Sequence, residues 1–142
     1  MNFRSGVVFV LLLAGVVSTA RGDRPLACRM DALDAKQQAR HQLLGQRLKQ
    51  SVVERVALPQ GYALTLDLSR LPRDSAGLPF CVVEVAEWVE LESKCCPFLD
   101  FGIDVRGEGG VVQLRLTGPP GVREFLEDEL ALVGPKGSSG RN

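Results

Sequence analysis

The sequence predicts an α+β fold: two β-hairpins forming one antiparallel sheet, with three helices, in the order α-ββ-α-ββ-α. Three observations predict it. Two pairs of alternating, β-branched runs each flank a stretch of turn residues. Three other segments carry apolar residues at helical spacing. The composition, 45% hydrophobic and 24% charged over 142 residues, is that of one globular domain with a core of its own.

The first helix is predicted over 31–50. Leu33, Leu44 and Leu48 form a stripe with Leu43 at its edge, and Asp31 or Asp34 is placed to cap the start. His41, the only histidine, lies at the border of the stripe and reads as a half-solvated helix residue rather than a ligand. In "SVVERVALPQGYALTLDL", Pro59-Gln60-Gly61 makes the turn of the first hairpin, and Tyr62, Leu64, Leu66 and Leu68 face one side. "SRLPRDSAGLPF" is a loop. The second helix is predicted over 81–95. In the second hairpin Phe101, Ile103 and Val105 alternate inward, as do Val112, Leu114 and Leu116, around a turn at 107–110. "PPGVREFLEDELALV" gives the last helix, with Val122, Phe125, Leu126 and Leu130 as its stripe and proline in its first turn.

The N-terminus has the shape of a secretory signal peptide over 1–22: Arg4, an apolar run from Val7 to Val17, then small residues. Cleavage is expected after Ala20, or else after Gly22. The run is shorter than the roughly 20 residues a spanning helix needs. The expected product is exported, periplasmic or secreted, with no membrane attachment after cleavage; a start codon set too far upstream of a cytosolic protein is the rival. The domain is expected over 23–133, followed by a flexible tail over 134–142. Lys+Arg and Asp+Glu both number 17, so no basic field exists for nucleic acid. No protein partner is indicated.

The chemistry concentrates in "WVELESKCCPFLDF". On a projection of roughly 100° per residue, Val82, Val85, Ala86 and Val89 define an apolar arc that includes Cys96. Glu92 points into it, three residues before Cys95 and four before Cys96, so it reaches both. A carboxylate aimed at the core is costly unless paired or bound. Cys81 lies about 21 Å of helix away from Cys95, too far to share a metal or a disulfide, and reads as a small buried hydrophobe.

Pro97 disfavours helical geometry at Cys96, so the pair closes the helix at its negative end. That end and Glu92 both raise a thiol pKa, the opposite of an activated nucleophile. Negative surroundings instead suit a soft cation, which displaces thiol protons outright. Cys28, in a loop before the first helix, is the candidate third ligand. The oxidative alternative pairs Cys28 with Cys95 or Cys96; a Cys95–Cys96 disulfide is possible but strained.

At these residues the chain resembles a family of small bacterial proteins. The segments "ACRMDALDAKQQARHQLL", "ALPQGYALTL", "AEWVELESKCCPFLDFGIDV" and "VVQLRLTGPPGVREFL" carry the resemblance, over about Cys28 to Leu130. The hallmark is a Glu-x-x-Cys-Cys-Pro-Phe signature with an upstream cysteine. Similar modules form the C-terminal extension of some MerR-type metal-responsive regulators, which implies thiophilic ions such as mercury or arsenic. By position the resemblance implies a site of Cys28, Glu92, Cys95 and Cys96, framed by Trp88, Pro97 and Phe98; Cys81 is not part of it. The leader is a departure from cytosolic regulators.

The expected function is therefore an exported protein binding a soft metal or metalloid ion (mercury, arsenic, zinc or copper) through Cys28, Cys95 and Cys96, with Glu92 as a further ligand or proton acceptor. No nucleophile–base–orienter set, phosphate loop or dinucleotide motif is visible, so the sequence leans away from an enzyme without deciding it. The alternatives are a disulfide-stabilised interaction domain and a thiol-redox enzyme with Glu92 as base and Cys28 as resolving thiol.

Overall fold

A computed structural model describes residues 26–107 and 110–128. The leader, the tail and Leu130 of the last helix lie outside the described residues. The elements are α1 (Ala35–Ser51), β1 (Val52–Leu58), β2 (Gly61–Asp67), α2 (Val82–Cys95), β3 (Asp100–Arg106), β4 (Val111–Thr117) and α3 (Val122–Asp128), with short 3-10 turns at Met30–Ala32 and Leu68–Arg70. The α+β fold is as the sequence predicts. All strand pairs are antiparallel, in the order β1-β2-β4-β3. Among the described residues no helix is long and apolar enough to cross a membrane.

The sheet is built from alternation. Leu64 of β2 faces Leu114 of β4, which faces Ile103 of β3. With Tyr62, Leu66, Val112 and Leu116 they line the face buried under the helices, while Asp104 and Arg115 on the other face stay exposed. Val105, expected inward, is half exposed at 50%. It lies near the end of an edge strand, where no element among the described residues covers it.

The first helix starts later than its pattern suggested. Leu33 is extended, and Asp34 caps α1: its carboxylate accepts from Gln37 N at 2.8 Å while the Gln37 side chain accepts from Asp34 N at 3.0 Å. That reciprocal box fixes the boundary. Leu44 and Leu48 then point into the core with no exposure. On α2 the buried face runs through Val85, Trp88, Leu91, Glu92 and Cys95. Ala86, expected on it, is exposed. Trp88 sets the centre of the face, because the largest side chain buries the most area.

Cys81 corrects its expectation too. It is exposed, with φ −134° and ψ 170°, because it is the N-cap of α2 rather than its first helical residue. Its N–H donates to the Glu84 carboxylate at 3.3 Å. On the same buried face of the sheet, the Tyr62 hydroxyl donates to Glu127 and Phe98 meets Phe125 edge-on at 5.0 Å, which seats α3.

Gly61 opens β2 with φ +148°, opposite Thr117. A Cβ there would lie 1.9 Å from the Leu116 carbonyl oxygen. Gly61→Ala is expected to lower the unfolding free energy by about 2–4 kcal/mol, measured by urea denaturation. An unchanged midpoint would show that the two inner strands are not in this close contact.

Candidate functional site

The site forms where the end of α2 meets α1 and the chain before it. Cys96 N–H still donates to Glu92 O at 2.7 Å, but Cys96 has left helical geometry (φ −120°, ψ 68°) ahead of Pro97. The terminal carbonyls of α2 are short of intrahelical donors. Arg29 N–H supplies one, donating to Cys95 O at 2.7 Å. That bond brings the neighbouring Cys28 to the pair. Cys28 and Cys96 are joined by a disulfide with Cα atoms 4.8 Å apart, across 68 residues of sequence.

Four groups converge. One ligand-type atom each from Cys28, Glu92, Cys95 and Cys96 lies within 4.8 Å of the others. Glu92, Cys95 and Cys96 are wholly buried; Cys28 is half-buried. Glu92 Oε1 is 3.9 Å from Cys28 Sγ and its Oε2 is 3.8 Å from Cys95 Sγ. The Cys95 thiol also lies 3.4 Å from Glu92 O. All four residues the sequence singled out are thus brought together. The oxidative alternative left two pairings open, and it is Cys96 that bonds Cys28, leaving Cys95 free.

Sequence reasoning missed His41. Its Nε2 makes a short hydrogen bond to Glu92 Oε2, pairing a carboxylate with zero exposure. The imidazole stacks on Trp88 (centroids 6.1 Å, 18° between planes), and Trp88 meets Phe101 edge-on. One turn along α1, Gly45 gives the indole room: a Cβ there would be 3.3 Å from Trp88 Nε1. His41 Nδ1 is buried and has no partner among the described residues. Beside it, Arg40 grips Glu87 (2.9 and 2.6 Å) and reaches Glu84 at 3.5 Å, bracing α1 against α2 from outside. The Arg40 hydrogen bond holds the Glu87 carboxyl below its ordinary range. The available signal for His41 was only its place at the edge of the α1 stripe.

Burial, and then the Glu92 charge, push the Cys95 thiol up to about 11. The direction agrees with the sequence argument. The larger cause is desolvation, which the helix end alone does not supply. At neutral pH this thiol stays protonated and is a poor nucleophile.

The chain matches no protein-family model, no curated protein and no solved structure.

Two outcomes follow from this geometry. His41→Ala should cost about 3–5 kcal/mol by stranding a buried carboxylate, and pairing it with Glu92→Leu should recover much of that. Chemical unfolding of the three proteins checks this; a harmless single variant would show that His41 does not sustain Glu92. The second outcome concerns pH. A thiol raised on folding favours the protonated native state. Its stabilising effect is intact below the ordinary value of 9.0 and lost as pH climbs toward about 11, because the unfolded chain ionises first. Across that window the native protein should lose up to about 2–3 kcal/mol more than Cys95→Ala. Parallel slopes for the two proteins would contradict the buried, charge-opposed thiol.

Proposed function

We propose that this is an exported protein that captures a soft metal or metalloid ion through Cys28, Cys95 and Cys96, with Glu92 as fourth ligand or proton acceptor. The observation that carries the reading is the convergence of those four groups within 4.8 Å of one another, three of them on wholly buried residues. Thiolate donors select soft ions. A buried carboxylate adds negative potential and suits a cation or a metalloid centre more than an anion. The resemblance to modules of MerR-type regulators supports a thiophilic ion such as mercury or arsenic; zinc and copper(I) share the donor preference. Export rests on the leader-like run at 7–17.

Fit depends on oxidation state. With Cys28 and Cys96 bonded to each other, neither offers a thiolate. The full donor set exists only in the reduced protein. A metal then supplies the charge that favours loss of the thiol protons, including that of Cys95.

The same disulfide favours a second reading, a domain whose N-terminal segment is simply fastened to α2. In the chain-entropy account a loop of this length is stabilised by about 4 kcal/mol. An enzymatic thiol is less well supported, since Cys95 is buried and held protonated.

Native mass spectrometry of the reduced protein titrated with arsenite, mercury(II), zinc and copper(I) separates the readings. One ion per chain is expected for at least one of them. Its retention should fall by about tenfold or more in Cys28→Ser, Cys95→Ser and Cys96→Ser alike and stay unchanged in Cys81→Ser. A reduced protein that retains no ion, or one whose uptake is abolished by Cys81→Ser alone, overturns the ion-binding reading in favour of the fastening role.

A further inference from the structure

The two half-cystines of the disulfide differ in burial. Cys96 is wholly buried, and so are its neighbours Cys95 and Glu92, whereas Cys28 is half-buried on the chain segment that crosses the end of α2. Thiol–disulfide exchange requires a thiolate to reach one sulfur of the bond. Only the Cys28 sulfur belongs to a residue with exposed surface.

We propose that the Cys28–Cys96 disulfide is a redox gate on the ion site, opened by an external dithiol that attacks Cys28. The proposal rests on the ion-binding reading and adds its regulation. With the gate closed, two of the four donors are consumed in the S–S bond, and Cys95 and Glu92 alone are left. With it open, three thiols and the carboxylate share the same small volume.

Contacts other than the disulfide also hold the walls of the site. The Arg29 N–H to Cys95 O hydrogen bond at 2.7 Å ties the Cys28 segment to α2 through backbone alone. His41 holds Glu92 from α1. Leu33, Leu44, Leu48, Trp88 and Leu91 pack α1 and α2 in one apolar cluster. Opening the disulfide therefore releases two thiols that stay beside Cys95.

The exchange balances as follows. The incoming thiolate bonds to the Cys28 sulfur as the Cys28–Cys96 bond breaks, and the electron pair departs on the Cys96 sulfur, which takes a proton. The second thiol of the reductant attacks its own sulfur in the mixed disulfide. This closes the reductant's disulfide and frees Cys28, which is protonated in turn. The protein gains two electrons and two protons, and the dithiol loses the same. Arsenite, a suitable probe, then exchanges its three hydroxyls for three S–As bonds with loss of three waters.

The test uses the full chain carrying Cys81→Ser, which removes the exposed thiol outside the site and places a favourable residue at the N-cap. The oxidised protein is incubated with glutathione, quenched in acid and peptide-mapped. In parallel, oxidised protein and phosphine-reduced, desalted protein are titrated with arsenite under native mass spectrometry. Glutathione on Cys28 is expected, together with one arsenic per reduced chain and loss of uptake in the oxidised chain. Glutathione on Cys96, a rearranged Cys28–Cys95 disulfide, or no mixed disulfide at all overturns attack at Cys28. Equal arsenite uptake by both forms overturns the gate and leaves the ion site standing. No uptake by the reduced form, with glutathione still mapped to Cys28, overturns the ion site and with it the gate.

Discussion

A carboxylate with no solvent exposure sets the terms for this structure. Glu92 points into the apolar face of α2, where an unpaired charge is expensive. His41 on α1 answers it with a ring nitrogen, and the ring is in turn held flat against Trp88. This arrangement fixes more than one side chain. It sets the rotation of α1 against α2, since a turn of either helix would strand Glu92. Gly45 leaves room for the indole, since a Cβ there would lie 3.3 Å from Trp88 Nε1 and the ring would have to shift slightly. The other oxygen, Oε1, lies 3.9 Å from the Cys28 sulfur, while the His41-bonded Oε2 is also 3.8 Å from the Cys95 thiol.

The sulfur chemistry follows from the way α2 ends. A helix C-terminus leaves carbonyls without donors, and Pro97 prevents the chain from continuing the helix. The backbone of Arg29 fills part of that need and carries Cys28 with it. One sulfur of the Cys95–Cys96 doublet then falls to the disulfide. The other remains a thiol in a dry, negatively charged pocket. Both features raise its proton affinity, with burial the larger. The same site thus holds a bonded sulfur pair and a silent thiol, and neither acts as a nucleophile at neutral pH.

Much of this is legible in the sequence, and the illegible parts share a cause. Strand alternation gave Leu64, Leu66, Leu114 and Leu116 their inward faces, because period two is a local property. Glu92 stood out by the same kind of local reasoning, as a charge inside an apolar arc. His41 did not, because its partner is 51 residues away and nothing in helix periodicity marks the meeting. The choice of Cys96 over Cys95 as partner of Cys28 was hidden for a related reason. It depends on how one residue bends out of a helix and on where a distant loop crosses it. Cys81 was misread more simply: a projection counts it as helical, whereas an N-cap has extended backbone and turns its side chain off the helical face. Val105 failed as an inward residue because alternation says which face a residue takes, not whether anything covers that face.

The burial that silences Cys95 also bears on which ions such a pocket would hold. An ion that binds Cys95 as thiolate must displace its proton, and each pKa unit above that of an ordinary thiol adds about 1.4 kcal/mol to that displacement at neutral pH. With the thiol near 11, a weakly thiophilic ion meets a penalty that an exposed cysteine would not impose. An ion with a strong bond to sulfur would overcome it, and its positive charge would turn the neighbouring Glu92 from an opponent of the thiolate into part of a neutralised cluster. On the ion-binding reading, a buried thiol beside a carboxylate would discriminate by bond strength rather than by charge alone. The feature that makes Cys95 a poor nucleophile is the same one that would make it a selective ligand.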